Sequence, residues 1–330
     1  MKAAFIERPG PPDVIVYDRI PKPQLDPSQV LVKVSAVSVN PIDTYIRAGA
    51  VPFDLPKPYI LGCDLAGTVE ETGSAVVRFK RGDRVWGSNQ GLFGRQGTYA
   101  EYAAVDECWL YPLPEQVDEV EAAALALVAI TAHIGTVYKA QVRSGDTVFV
   151  HGGSGGVGLC AIQMAKILGA TVIASAGSEE KAQLCRQYGA DRVIQYRVDD
   201  LDATLKRQVP EGVDVWWELL REPDLEQIVS HMALHGRILL IAGRDAKPLF
   251  PVGPFYTRDL SLFGYAMFNT SAEEQRKSAA EINRWLARRR LKAHIGRQMS
   301  LAEAAAAHQL QEENTLQKAG TLSGKIVLVP

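Results

Sequence analysis

The chain has 330 residues, of which 47% are apolar and 22% charged, and its formal net charge is −2. That length favours two domains over one core, and the near-balanced charge argues against nucleic acid or anionic lipid as the main partner. The first eight residues carry the charge pair Glu7 and Arg8 and no long apolar h-region, which argues against a secretory signal. Cys63, Cys108, Cys160 and Cys185 lie far apart without CxxC spacing, which predicts free thiols in a cytoplasmic protein rather than a zinc knuckle or a disulfide framework.

Up to Pro112 the chain reads as short strands separated by proline- and glycine-rich turns, including 30–39, 67–73 and 81–85, a texture that fits a barrel-like β domain. The apolar run Ala122 to Tyr138 is broken by Thr131 and His133 and predicts a buried helix, being shorter than a membrane span. From about residue 124 strands and helices alternate. Strands are expected at 147–150, 171–174, 192–196, 213–217, 237–242 and 261–268, and helices at 157–168 and 178–188. This pattern predicts βαβ units and a doubly wound parallel sheet. Ser271-Ala-Glu-Glu274 has capping-box spacing, 302–310 reads as a short helix, and 325–330 as a last strand. The expected domains are 1–123, 124–268 and a returning segment 269–330.

Gly153, Gly155 and Gly158 form G-x-G-x-x-G after the strand 147–150 and at the start of a helix. A turn of this kind lets backbone approach a pyrophosphate while helix N–H groups and the macrodipole hold the anion. A purely structural glycine turn is the competing reading, and the flanking strand, helix and βαβ units argue against it.

A dinucleotide lacking a 2′-phosphate calls for a carboxylate where the second strand ends. Here that strand ends in Ser175, Ala176 and Gly177, with Lys181 one helical turn further on. Room for a phosphate together with a cation predicts NADPH. Glu179 and Glu180 are the objection, and a first helical turn capped by Ser178 accounts for both.

The run from His151 to Tyr196 resembles the cofactor motif of quinone oxidoreductases, zinc-free members of the medium-chain dehydrogenases and reductases that include zeta-crystallin. SVNPIDTYIRAG (38–49), LGCDLAGTVEETG (61–73), RGDRV (81–85), GTYAEY (97–102), 213–243 and GKIVLV (324–329) extend the resemblance over essentially the whole chain. It implies an α/β fold in which both chain ends make a GroES-like β-barrel catalytic domain around a Rossmann domain, with nicotinamide and substrate held in the cleft between them. It also implies no metal: Asn40 and Cys63-Asp64 stand where zinc-dependent relatives carry ligands, and the cysteine-rich lobe is missing.

Carried over by motif, Tyr45 and Asn40 lie near the nicotinamide and act in catalysis, with Thr131 at the start of a domain-linking helix. Ser154, Gly155, Gly156 and Val157 cradle the pyrophosphate. Gly177, Lys181 and Tyr196, with Ser175, surround the adenosine phosphate. Gly243 and Met267, the latter in the last strand of the sheet, meet the cofactor through backbone, and Lys325 returns to the cleft. Trp216-Trp217 and the segment 221–224 depart from the family pattern; Asp224, at a position open to cofactor contact, is left unassigned, and the loop 91–97 either shapes the substrate pocket or is an ordinary surface loop.

Quinones are electron-poor and need little acid assistance, so the resemblance implies NADPH-dependent quinone reduction, with Tyr45 either packed against the nicotinamide without acid duty or donating a hydrogen bond to the substrate oxygen. Reduction of α,β-unsaturated carbonyls is the alternative. RNA binding through Arg284, Arg288, Arg289, Arg290, Lys292 and Arg297 is a third reading, weaker than a solvated helix terminus. Family members pair through the last sheet strand, so a homodimer or tetramer without membrane partners is expected.

Overall fold

The turn-rich beginning of the chain builds short strands. In the computed structural model, which describes residues 1–51 and 54–330, these are β1 (Lys2–Ile6), β2 (Val16–Arg19), β3 (Gln29–Val39), β4 (Tyr59–Ile60), β5 (Leu65–Thr72), β6 (Arg84–Gly87), β7 (Tyr102–Asp106) and β8 (Leu110–Pro112). A short helix α1 (Pro41–Arg47) follows β3, opened by Pro41 at its first position, where the missing N–H costs nothing. Strands β2, β1 and β4 form one sheet, and β3, β5, β6 and β8 run through a second, in which β7 also pairs with β3.

Helix α2 (Glu119–His133) continues into a π-helical turn, Ile134–Lys139. The combined 21 residues are apolar enough to cross a membrane by length and composition, but 78% of the apolar window is buried within the protein. This is longer than the run expected from sequence, because the helix begins earlier, at Glu119, and ends later, at Lys139. Residue 124 falls inside α2, and the two units of the chain part at 130/131.

The second unit, Thr131–Asn269, holds β9 (Thr147–His151), α3 (Gly156–Ile167), β10 (Thr171–Ala176), α4 (Glu179–Gln187), β11 (Arg192–Gln195), α5 (Leu201–Gln208), β12 (Val213–Glu218), α6 (Leu225–Ser230), β13 (Met232–Leu240), α7 (Val252–Tyr256) and β14 (Ser261–Phe263). All six strands are parallel, in the order β11-β10-β9-β12-β13-β14. This is the dinucleotide-binding order, with its switch of direction beside the first strand, β9. Phe149, Ile173, Ile194, Trp216 and Ile238 are buried in one core cluster, so Trp216, a departure from the family pattern, serves as packing. Trp217 is explained by Gly135 of the π turn: a Cβ there would lie 2.2 Å from the indole.

Strand β14 is shorter than the expected 261–268. The chain leaves the sheet at Gly264, the Tyr265 hydroxyl donates to the Thr131 carbonyl at 2.7 Å, and Met267 lies in a 3₁₀ turn rather than in a strand.

The returning segment belongs to the first unit. It comprises α8 (Ala272–Ala287), β15 (Ile295–Ser300), α9 (Ala304–Thr315) and β16 (Lys325–Val329). The capping box is formed: Ser271 Oγ accepts the Glu274 N–H, and Glu274 accepts the Ser271 N–H. Strand β16 pairs antiparallel with β3, Ile326 opposite Val39, a register that puts Lys325 beside Asn40.

Candidate functional site

The phosphate-binding turn leaves β9 at Gly152, whose φ of +87° is the left-handed region that favours glycine. Gly155 caps α3 in extended conformation. A Cβ on Gly158 would lie 2.7 Å from the carbonyl oxygens of Gly152 and Gly153, and one on Gly153 would lie 2.9 Å from the Ala174 Cβ. Only glycine permits this closeness of helix, turn and strand. Gly155 is exposed, and Ser154, Gly156 and Val157 are half-buried at the amino end of α3. The first-turn N–H groups there have no intrahelical acceptor and suit an anion. These four expected residues therefore share one end of one helix.

Ser175 does not share the setting expected for it. It is fully buried; its Oγ accepts the Gly152 N–H at 3.0 Å and its carbonyl accepts the Gly153 N–H at 3.0 Å. These two bonds tie it to the turn that leaves β9, so it shapes that turn from within the sheet.

Beyond it, Gly177 is half-buried, and a Cβ there would lie 2.7 Å from the Tyr196 hydroxyl. Ser178 caps α4 by accepting the Lys181 N–H at 3.3 Å. Burial, then the Arg197 charge, lowers the Lys181 ammonium below its ordinary range, while Glu180 opposes them. Two cations therefore stand near Gly177 and Tyr196. Motif matching passes over Arg197, whose one signal is its place just past the carboxyl end of the third strand. Glu179 is occupied: it pairs with Arg186 at 2.8 Å and accepts from Gln195 Nε2 at 2.6 Å. An arrangement of glycine turn, free helix end and paired cations fits a dinucleotide bearing a 2′-phosphate.

Glu218, which no motif marks, closes the floor of the turn. It is buried; Oε2 lies 2.8 Å from His151 Nδ1 and accepts from Trp216 Nε1 at 3.0 Å, and Oε1 accepts the Leu220 N–H at 2.9 Å. Gly243 adopts a φ of +80°, and a Cβ there would lie 2.8 Å from the Arg221 carbonyl oxygen. Asp224 caps α6 by accepting the Gln227 N–H at 3.0 Å. Thr131 is buried near the carboxyl end of α2, not at its start, which lies at Glu119.

The first unit contains a separate buried polar cluster. Asn40 precedes α1, is fully buried, and its N–H donates to Asp43 Oδ2 at 2.8 Å. Its amide is committed at both ends: Nδ2 donates to Asp64 Oδ2 at 2.8 Å, and Oδ1 accepts from Lys325 Nζ at 2.5 Å. Lys325 is itself buried and also donates to the Val39 carbonyl at 2.7 Å. Tyr45 is half-buried on α1. Burial raises the Asp43 carboxyl to about 6, and raises Asp64 against the pull of Lys325 and three hydrogen-bond donors. Around the loop 91–97, Tyr59 donates to the Gly91 carbonyl at 2.7 Å and Arg95 donates to the Asn89 carbonyl at 2.7 Å.

This cluster does not fit zinc. Cys63 is its one thiol, the Asp64 oxygens already accept from three side chains, and the Lys325 ammonium stands among the acids. Among the described residues no three His, Cys, Asp or Glu side chains group as metal ligands.

Residues 26–115 match the alcohol dehydrogenase GroES-like domain, and 156–284 match the zinc-binding dehydrogenase domain. Quinone oxidoreductase of Homo sapiens is 34% identical over 331 residues, covering 100% of this chain and 98% of the relative. The chloroplastic NADPH-dependent alkenal/one oxidoreductase of Arabidopsis thaliana is 35% identical over 257 residues, covering 76% of this chain and 64% of the relative. Among solved structures, an NAD-dependent alcohol dehydrogenase superposes with a TM-score of 0.89 at 30% identity, covering 100% of both chains. Quinone oxidoreductase of Escherichia coli complexed with NADPH superposes with a TM-score of 0.86 at 26% identity, also covering 100% of both.

Proposed function

Because the chain belongs to the quinone oxidoreductase family of medium-chain dehydrogenases and reductases, we propose that it is an oxidoreductase that uses NADPH to reduce quinones. The observation that carries the cofactor is the pair Lys181 and Arg197 beside Gly177 and Tyr196, where an NAD site would keep a free carboxylate. Glu179, the nearest rival, is spent on Arg186 and Gln195.

When bound, the nicotinamide supplies a hydride. The chain's own work is orientation. Ser154, Gly155, Gly156 and Val157 hold the pyrophosphate, Lys181 and Tyr196 hold the adenosine phosphate, and Gly243 and Met267 offer backbone to the cofactor. Tyr45 donates a hydrogen bond to the acceptor oxygen, where negative charge grows as the hydride arrives, and a proton from water completes the hydroquinone. Asn40 and Lys325, buried against each other, hold the start of α1 rather than touching substrate. No step requires a metal.

A second reading, reduction of alkenals and enones, is favoured by the likeness to the plant alkenal/one oxidoreductase. NADPH oxidation measured against quinone and alkenal panels, with NADH in parallel, separates the two. Faster turnover of every alkenal than of any quinone would replace the first reading by the second. The reading includes a homodimer or tetramer built through β14, one of the two edge strands of its sheet, and light scattering at micromolar concentration tests it.

A further inference from the structure

Strand register brings together three residues far apart in the chain. The pairing of β16 with β3 sets Lys325 against Asn40, and the turn into β5 brings up Asp64. The Asp64 carboxylate has no solvent exposure. Ser38 Oγ and Asn40 Nδ2 donate to Oδ2 at 2.7 and 2.8 Å, and Ser88 Oγ donates to Oδ1 at 2.6 Å. On its far side the Asn40 amide accepts from the Lys325 ammonium at 2.5 Å. The amide thus lies between a buried anion and a buried cation, its NH₂ toward the acid and its oxygen toward the base. A flipped amide would set like against like at both ends, so the two charges fix one orientation.

We infer that Asp64 is a positioning residue for the reduction, acting with Lys325 through Asn40 to lock the first turn of α1, which carries Tyr45. The inference rests on the reading that Tyr45 addresses the acceptor. It assigns Lys325 to this unit and not to the cofactor. Neither charge reaches substrate. Each holds the amide that anchors the helix, and Asp43, whose Oδ2 accepts the Asn40 N–H, continues the anchor into α1.

The test is a double-mutant cycle of Asp64→Asn and Lys325→Met in the full chain, with Ser88→Ala as a milder variant. Turnover is read with benzoquinone or an alkenal, whichever the wild type reduces faster. NADPH affinity is read by fluorescence titration without acceptor, and thermal midpoints are read throughout. Each single change removes one of the two charges that hold the amide and is expected to lower kcat by about tenfold while NADPH affinity stays within about threefold. The double change removes both charges that the amide bridges, and its loss is expected to be at least about fivefold smaller than the product of the singles, in stability as in turnover. Ser88→Ala, which removes the donor to Oδ1, is expected to lower kcat by about two- to fivefold and the midpoint by a few degrees, less than either charge removal. Single effects that simply multiply in the double variant would overturn the proposal, and so would NADPH affinity that falls in step with turnover. Should the singles fail to fold, wild-type turnover in Ser88→Ala would overturn it as well. A wild type that reduces alkenals but no quinone would defeat the quinone reading alone and leave this cycle intact.

Discussion

The hydroxyl of Ser175 accepts the Gly152 N–H at 3.0 Å, so the end of β10 is tied directly to the phosphate-binding turn that leaves β9. This bond turns a residue expected to meet phosphate into part of the scaffold. Ser175→Ala leaves a part-buried N–H without its acceptor and is expected to cost about 1 kcal/mol of stability. The turn loosens for any dinucleotide, so the Michaelis constants for NADPH and NADH should rise by the same factor. Steady-state kinetics with both cofactors checks this; a loss confined to NADPH would restore a phosphate contact.

Acid stability should reflect two buried groups with opposite signs. Burial, then the Arg47 charge, holds His308 down to about 3, so it is neutral in the folded chain. Unfolded, a histidine titrates near 6.5, so between about 6.5 and 3 the unfolded state binds a proton that the folded state does not, and stability falls as pH falls. Asp43 is held up to about 6, against 3.8 for a free carboxyl. From 3.8 to about 6 the folded state keeps a proton that the unfolded state releases, so this group's stabilisation is lost as pH rises. His308→Phe, which keeps an edge against Tyr99, should flatten the loss of thermal midpoint below neutrality. Asp43→Asn should raise the midpoint at neutral pH and steepen the acid loss. Scans from neutral pH down to about pH 4 read both slopes.

Glu218 binds three donors under the glycine turn, from His151, Trp216 and Leu220. Glu218→Ala leaves all three without an acceptor and is expected to destabilise the chain by about 3 kcal/mol. Glu218→Gln keeps the shape and one acceptor oxygen, and should cost about half as much. Denaturant midpoints rank the pair, and an Ala variant as stable as wild type would remove the floor from this account.

Local features are legible in the sequence alone. The glycine spacing, the Ser271–Glu274 capping box and the alternation of strand and helix each depend on residues within a few positions of one another. What escapes such reading depends on distant pairings. Asp64, Asn40 and Lys325 meet across sequence separations of 24 and 285 residues, which no local pattern reveals. Polarity alone places Ser175 at the phosphate, and β10, buried on both faces, offers no alternation that would have turned it away. The strand expected over 261–268 looks continuous because Leu262, Phe263, Tyr265 and Met267 are apolar or aromatic. Gly264 and the Tyr265 hydrogen bond to Thr131 end it early.

Cofactor choice turns on the two cations at the ends of β10 and β11. Lys181 sits one turn into α4, near enough to Arg197 for the guanidinium to depress its protonation, and this repulsion is relieved when an anion binds between them. A 2′-phosphate at this point receives charge-assisted hydrogen bonds, each typically worth about 1.5–3 kcal/mol, or roughly ten- to a hundredfold in affinity. Lys181→Ala should therefore raise the Michaelis constant for NADPH by about tenfold or more while leaving that for NADH nearly unchanged. Arg197 is exposed, and water screens its charge, so Arg197→Ala should act in the same direction but more weakly, by about two- to fivefold. The double variant should approach equal use of both cofactors. Initial rates with NADPH and NADH over a range of salt concentrations provide the check, since added salt weakens the 2′-phosphate contact of NADPH alone, while its effect on the pyrophosphate is common to both cofactors. A wild type that uses NADH as well as NADPH, or substitutions that weaken both cofactors alike, would reassign these cations and move the preference to NAD.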